Sequence, residues 1–206
     1  MKVAGAIIAG GPAKRLGGVA KPFLKVGGRA IAERQLDLLR GAALVRVFVV
    51  ANDPAPWAAL GVDVVPDLVG GSGPLGGIHA ALTALGDDGC DAVVCLAGDL
   101  PFVGADLLAT LRDRAPWADA VAPRTARGIE PLCARYARAL LPAIDGAVRA
   151  GRLAVHEMLE QRAVDWIAEA ELAALDPDGR SFFNVNTPDD LARADAMAAG
   201  EPGQRP

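Results

Sequence analysis

The chain has 206 residues, 52% of them hydrophobic, with a mean hydropathy of +0.27; that supports one substantial core and makes a single domain the default expectation. Lysine plus arginine number 21 against 25 acidic residues, giving a net charge of −4 and a pI near 5.2, so no global basic field draws a nucleic-acid backbone, and aromatics at 4% offer no stacking platform. Two histidines, His79 and His156, cannot build a histidine-rich metal site, and Cys90, Cys95 and Cys133 match no zinc or redox spacing and read as buried thiols of a reducing cytoplasm.

The first element is an apolar strand, Val3–Ala9, too short to span a membrane and unlike a signal peptide. It runs into Gly10-Gly11-Pro12-Ala13-Lys14-Arg15-Leu16-Gly17-Gly18 and then Lys21-Pro22. Glycines without Cβ let amide N–H groups turn toward an anion, and a polyphosphate is the natural guest. An ordinary strand-to-helix turn would explain the glycines alone. It does not explain Lys14, Arg15 and Lys21, because cations gathered at a strand end repel one another unless an anion joins them. The dinucleotide spacing G-x-G-x-x-G does not occur between Gly5 and Gly18, and Gly17 is followed by Gly18-Val19, not by the lysine and hydroxyl of an ATPase loop.

Apolar runs at Val45–Val50, Val62–Val65, Asp91–Ala97 and Ala118–Ala122 read as strands buried on both faces, as parallel sheets require. Between them Ala30–Arg40, Leu75–Leu85 and Ala105–Arg114 carry apolar residues at helical spacing. The alternation predicts an α/β fold, an open, mostly parallel sheet with helices on both faces and right-handed crossovers. Beyond it, Ile129–Tyr136 could be a strand, Leu140–Ala150 and Leu153–Gln161 read as helices, and Pro188–Ala199 is a closing amphipathic helix with Thr187 as its N-cap. Without a repeat or a long linker, residues 1–199 are expected to form one domain, with 200–206 a frayed tail.

Ligands of open α/β sheets bind outside the carboxyl ends of the strands. There lie Gly10–Lys21, then Ala51-Asn52-Asp53, then Pro66-Asp67 with Gly70–Gly77, then Gly98-Asp99-Leu100-Pro101, all expected on one rim. Asp99 is the candidate metal ligand, since a triphosphate needs a hard cation and Mg2+ takes one or two carboxylates with phosphate oxygens; the competing reading is a helix cap. Asp67 alone would be a turn former, but the helix start Gly73-Pro74-Leu75 beside it allows close backbone approach to a base or ribose. Thr187-Pro188 and Asp190 explain a capping segment, whereas Asn184 and Asn186 share one face of an extended stretch and could offer both amides to one ligand or to the metal's shell. Trp57, Trp117 and Trp166 read as packing or surface aromatics, and His79 and His156 as structural or solvated.

The pattern A-G-G-x-x-x-R-L-G-x-x-x-K-P, from Ala9 to Pro22, resembles the signature of the sugar-nucleotide and cofactor nucleotidyltransferases, a Rossmann-like superfamily of the nucleotide-diphospho-sugar transferase type whose loop holds an NTP. Gly73-Pro74-Leu75-Gly76-Gly77-Ile78, Glu130-Pro131-Leu132-Cys133-Ala134-Arg135-Tyr136 and Asn184-Val185-Asn186-Thr187-Pro188 are together similar to the molybdenum cofactor guanylyltransferases, in the expected order and over essentially the whole chain. The resemblance implies transfer of GMP from GTP to the phosphate of Mo-molybdopterin, with Mg2+ as cofactor and pyrophosphate as leaving group. It implies that Arg15, Lys21 and Asp99 are catalytic, with the magnesium on Asp99. Nucleotide contacts would come from Ile8, Ala9, Gly10, Gly11, Lys21, Asn52, Asp67, Gly73, Pro74, Leu75 and Asp99, and acceptor contacts from Glu130, Asn184 and Asn186. Other cofactor-assembly or molybdoenzyme chaperone proteins are implied as partners. Two departures stand out: Ala20 replaces the aspartate usual before the loop lysine, and the side chain of the second-strand loop could fall on Val50 or Asn52. The same first loop would serve a cytidylyltransferase acting on the same pterin or another small-molecule NTP nucleotidyltransferase, which Asp67–Ile78 would discriminate. A non-catalytic nucleotide-binding partner protein is the alternative outside enzymes.

Overall fold

The computed structural model describes residues 1–10, 16 and 18–200. Gly11, Lys14 and Arg15 of the first loop, and the tail beyond Gly200, lie outside the described residues. Strand β1 (Val3–Ile8) is followed by a 3-10 turn at Lys21–Phe23, a hairpin of β2 (Lys25–Val26) and β3 (Arg29–Ala30), and helix α1 (Ile31–Gly41). Next come β4 (Val47–Val50), a 3-10 segment at Ala55–Leu60, β5 (Asp63–Val65), α2 (Gly73–Thr83), β6 (Ala92–Ala97) and α3 (Ala105–Asp113). The remainder is β7 (Ala120–Thr125), β8 (Gly128–Ile129), β9 (Cys133–Ala137), α4 (Leu141–Arg149), α5 (Val155–Glu160), β10 (Val164–Ile167), α6 (Glu169–Leu175) and α7 (Pro188–Ala199).

The main sheet has the order β10-β7-β9-β6-β1-β4-β5, with β8 paired to β7. Strands β5, β4, β1 and β6 are mutually parallel, and β10 is parallel to β7. β9 runs antiparallel to both β6 and β7. The sheet is therefore open and mostly parallel, as the alternation of apolar runs predicts. The stretch Ile129–Tyr136, expected as one strand, is divided into β8 and β9 by a turn in which Cys133 N donates to Glu130 O at 3.1 Å. Pro131 inside that turn has no N–H for a ladder, which ends the pairing there. Strand β10, helix α6 and the β2–β3 hairpin went unforeseen, because each is too short to establish a period of its own.

Strand β1 is buried on both faces. Ala4, Ala6 and Ile8 pack with α2, α4 and α5, whereas Val3 and Ile7 pack with α1, α3 and α6. Strict alternation along the strand thus fixes which helices cover which face. A third cluster joins Leu24, Val26 and Ile31 to Val185, Ala194 and Ala198, seating α7 beside the β2–β3 hairpin. Thr187 caps α7 as expected: its Oγ1 accepts from Asp190 N at 3.1 Å and Asp190 Oδ2 accepts from Thr187 N at 2.9 Å.

Helix α2 approaches β1 closely, and Gly77 is the reason. A Cβ at that position would lie 2.3 Å from Ile8 Cγ2. Ile8 is β-branched and cannot swing its methyl aside cheaply. Overpacking of this kind costs about 1–3 kcal/mol, while leaving glycine returns under about 1 kcal/mol of helical preference. Gly77→Val is therefore expected to lower the urea midpoint and to displace the start of α2; an unchanged midpoint would show that β1 and α2 have slack the packing does not reveal.

Candidate active site

A cavity of about 980 Å³ opens at the carboxyl ends of the parallel strands. Its walls come from the segments after β1, β4 and β6, from the start of α2, from Gly18–Phe23, and from Glu130-Pro131-Leu132. The last of these reaches the same rim because β9 is antiparallel, so its beginning lies where its neighbours end. A volume on this scale suits a nucleotide-sized ligand.

At the centre of the rim, Lys21 Nζ lies 3.2 Å from Asp99 Oδ2. Lys21 Nζ also donates to Asn186 Oδ1. Both partners of the ion pair are mostly buried, so the pair is less screened than one on an open surface. Packing aims it: Lys21 opens a 3-10 turn whose next residue, Pro22, is buried, and a Cβ on Gly98 would meet Pro22 Cγ at 3.0 Å. Glycine beside Asp99 thus lets the Lys21 turn settle directly over the carboxylate. The turn carrying Asp99 is itself tied to three neighbours, with Ala97 N donating to Leu132 O at 2.6 Å, Gly98 N to Ile8 O at 3.0 Å and Val185 N to Asp99 O at 3.0 Å.

On the side of β4 and β5, Asn52 Oδ1 accepts from Asp67 N at 3.0 Å, and Asp67 Oδ1 accepts from Val69 N at 3.2 Å. Asp67 faces Gly10 closely: a Cβ on Gly10 would lie 3.2 Å from Asp67 Cβ. Asn52, Gly10, Gly73 and Pro74 line the cavity together with Ile8 and Ala9. Gly73, with φ +57°, opens α2 in a left-handed conformation, and Pro74 follows it in the first turn. The Leu75 side chain is fully buried in the α2–α4 core, so what this residue can offer a ligand is its backbone, the kind of approach expected of the helix start. The register question at β4 also resolves, since Val50 is fully buried and Asn52 faces the cavity.

Across the cavity, Glu130 and Asn184 both line the wall. Glu130 accepts a hydrogen bond from Thr125 Oγ1 at 3.4 Å and lies 3.7 Å from Arg127 Nη2. Burial nevertheless raises the Glu130 pKa above the ordinary carboxylate value, with Arg127 and Thr125 only partly opposing it. Asn184 and Asn186 flank Val185, which is fully buried, so the two amides do share the outward face of one extended segment. They diverge in use: Asn184 lines the cavity and Asn186 reaches Lys21.

One wall was not anticipated from sequence. Phe23, Pro56 and Trp57 line the cavity, with the Phe23 and Trp57 rings edge to face at 4.8 Å between centroids. Trp57 packs in the core, as its sequence reading expects, and one edge of it also meets the cavity just past the β4 loop. Trp117 is exposed, Trp166 sits beneath Arg124, His79 is buried and His156 exposed, in line with their structural readings. The thiols of Cys95 and Cys133 are fully buried, which pushes their pKa values far up and makes them inert. Among the described residues no group of three or more His, Cys, Asp or Glu gathers to hold a metal, and no helix is long and apolar enough to cross a membrane.

The family model of the MobA-like NTP transferase domain matches residues 5–166. The probable molybdenum cofactor guanylyltransferase of Pelotomaculum thermopropionicum is 34% identical over 198 residues, covering 96% of this chain and 94% of the relative. The molybdenum cofactor guanylyltransferase of Cereibacter sphaeroides is 34% identical over 199 residues, covering 96% of this chain and 97% of the relative. Among solved structures, molybdopterin-guanine dinucleotide biosynthesis protein A from Archaeoglobus fulgidus superimposes with a TM-score of 0.79 at 29% identity, covering 98% of this chain and 100% of that one.

The raised pKa of Glu130 has a measurable sign. Folding gains most from this group below its ordinary pKa of 4.5, where it is protonated in both states, and that gain is lost as pH rises through the higher folded value. Glu130→Gln keeps the shape and never ionises. The variant is expected to be more stable than the parent near neutral pH, with the difference closing below 4.5. Urea unfolding at the two ends of that range measures it, and a difference independent of pH would refute the burial argument.

Proposed function

The chain belongs to the molybdenum cofactor guanylyltransferase family, built on a MobA-like NTP transferase domain, and on that premise we propose that it transfers GMP from GTP to the phosphate of Mo-molybdopterin. In this reading a phosphate oxygen of the acceptor attacks the α-phosphorus of GTP, the bond to the leaving oxygen breaks, and pyrophosphate departs. The acceptor is already an anion, so no covalent enzyme intermediate or general base is required. What the protein must do is bring two anions into line and stabilise the charge that shifts onto the leaving group. The observation that carries the reading is the Lys21–Asp99 pair at 3.2 Å on the cavity rim, a cation and a carboxylate held together where the strands end.

The donor set fits Mg2+. Asp99 supplies one hard carboxylate, to which a triphosphate would add its oxygens, and the ammonium of Lys21 already stands against Asp99 as a cation would. A bound Mg2+ would supply Lewis-acid neutralisation of the triphosphate. Asp99 would hold it, and Lys21 would contact the phosphates, with Arg15 assigned the same task by its place in the motif. Asn52, Asp67 and the start of α2 would take the guanosine. Glu130, Asn184 and Asn186 would meet the acceptor. We assign residues 1–199 to one functional unit in a reducing cytoplasm, on the support of three unpaired, buried cysteines.

Two measurements test this. In a thermal-shift panel of GTP, CTP, ATP and UTP with Mg2+, GTP at ~100 times its dissociation constant is expected to stabilise the protein by about 2.7 kcal/mol; a shift selective for CTP, or none at all, overturns the guanylyl assignment. Asp99→Asn is expected to lower turnover by at least ~100-fold, the scale of losing one electrostatic stabiliser. Near-normal turnover at saturating Mg2+ would remove Asp99 from the reaction.

A further inference from the structure

Gln35 stands in the apolar stripe of α1, among Ile31, Ala32, Leu36 and Leu39, and only 2% of it is exposed. Its Nε2 donates to Ala97 O at 2.7 Å and to Leu100 O at 3.0 Å. Those two carbonyls are the ends of the turn that carries Asp99, whose own closing bond, Leu100 N to Ala97 O, is longer at 3.2 Å. The Oε1 of the same amide is buried and has no hydrogen-bond partner among the described residues. Leucine or methionine here would serve the packing of α1 without burying an unpaired oxygen, but would leave both carbonyls without this donor. The packing of α1 therefore does not account for glutamine, and the two carbonyls do.

We propose that Gln35 is a positioning residue for the metal-binding turn. Its amide clamps the two ends of residues 97–100 from beneath, so that Asp99 presents its carboxylate to a cation and to Lys21 at a fixed place on the rim. The three backbone bonds from Leu132, Ile8 and Val185 tie the turn sideways to neighbouring segments; the Gln35 amide joins one end of the turn to the other. The chemistry requires an –NH2 specifically, because both partners are carbonyl acceptors. A carboxylate of the same shape would set an oxygen against each of them. The inference rests on the assignment of Asp99 to the metal.

The test is Mn2+ binding, followed by electron paramagnetic resonance, to the full chain in the presence of a non-hydrolysable GTP analogue. Gln35→Met, of equal length and without a donor, is expected to weaken Mn2+ binding about 10- to 100-fold, the usual effect of removing a group that orients a ligand. Gln35→Glu is expected to weaken it at least as much at neutral pH. Metal-free affinity for the analogue should stay within about twofold of the parent, and the Gln35→Met protein should remain folded with a lower urea midpoint, because the Ala97 and Leu100 carbonyls lose a donor in a buried setting. In an Asp99→Asn background, Gln35→Met should have no further effect, because the two residues then act as one unit. Parent-like Mn2+ affinity in a folded Gln35→Met protein, full additivity with Asp99→Asn, or failure of both Gln35 variants to fold would overturn the proposal. A parent protein that binds no Mn2+ with the nucleotide would instead overturn the assignment of Asp99, and this inference with it.

Discussion

The parallel pairing of β1 with β6, Ile8 opposite Ala97, is the constraint on which the site depends. These strands are far apart in sequence, and their register sets the loop after β1 beside the turn after β6. Gly98 N donating to Ile8 O extends the ladder one step past the strands and locks the two exits together. Given that register, Lys21 needs only a short 3-10 turn and the packing of Pro22 on Gly98 to arrive over Asp99. A slip in the pairing would turn the alternation of Ala4, Ala6 and Ile8 against Val3 and Ile7 to the wrong helices, so core burial protects the geometry of the site.

The reversed strand is the second device. A sheet of parallel strands alone collects only the segments that follow them, whereas β9, inserted between β6 and β7 in the opposite sense, delivers the segment that precedes it. That is how Glu130-Pro131-Leu132 comes to face the Asn52 and Gly73 side across one cavity. The extended stretch before α7 adds the last wall through Asn184. The cap of α7 and its buried Ala194 and Ala198, clustered with Val185, fix that stretch, and Val185 N donating to Asp99 O brings Asn184 and Asn186 to the metal-candidate turn.

What could be read from sequence was whatever a long period or a local motif encodes. The two-sided apolar strands announced themselves, and with them the strand-end positions of Gly10, Asn52, Asp67 and Asp99. Thr187 and Asp190 declared the cap of α7. Short elements such as β10 and α6 were silent, and Pro131 broke a strand that composition alone would have continued. At the start of α2, helical periodicity turns the Leu75 side chain inward while the glycine and proline before it face the cavity. Gln35 was legible only as a lone amide on an apolar stripe, and its purpose depends on a turn some sixty residues away. Trp57 required knowing that the chain after β4 folds back over the rim.

The charge balance of the rim bears on how a metal would be held there. Asp99 is a single carboxylate, and Lys21 already neutralises it. Among the described residues Asp99 belongs to no group of three or more His, Cys, Asp or Glu that could hold a metal by itself. A divalent cation approaching the free protein would have to displace an ammonium and would gain one carboxylate, a poor exchange against its hydration shell. The balance reverses if the cation arrives carried by a triphosphate: the phosphate oxygens supply the missing hard ligands, and Lys21, released from Asp99, finds an anion of higher charge beside it. On the proposed reading, the Lys21–Asp99 pair is then a resting arrangement that a metal–nucleotide complex opens by offering each partner a stronger counter-charge, which makes binding of metal and nucleotide a single coupled step.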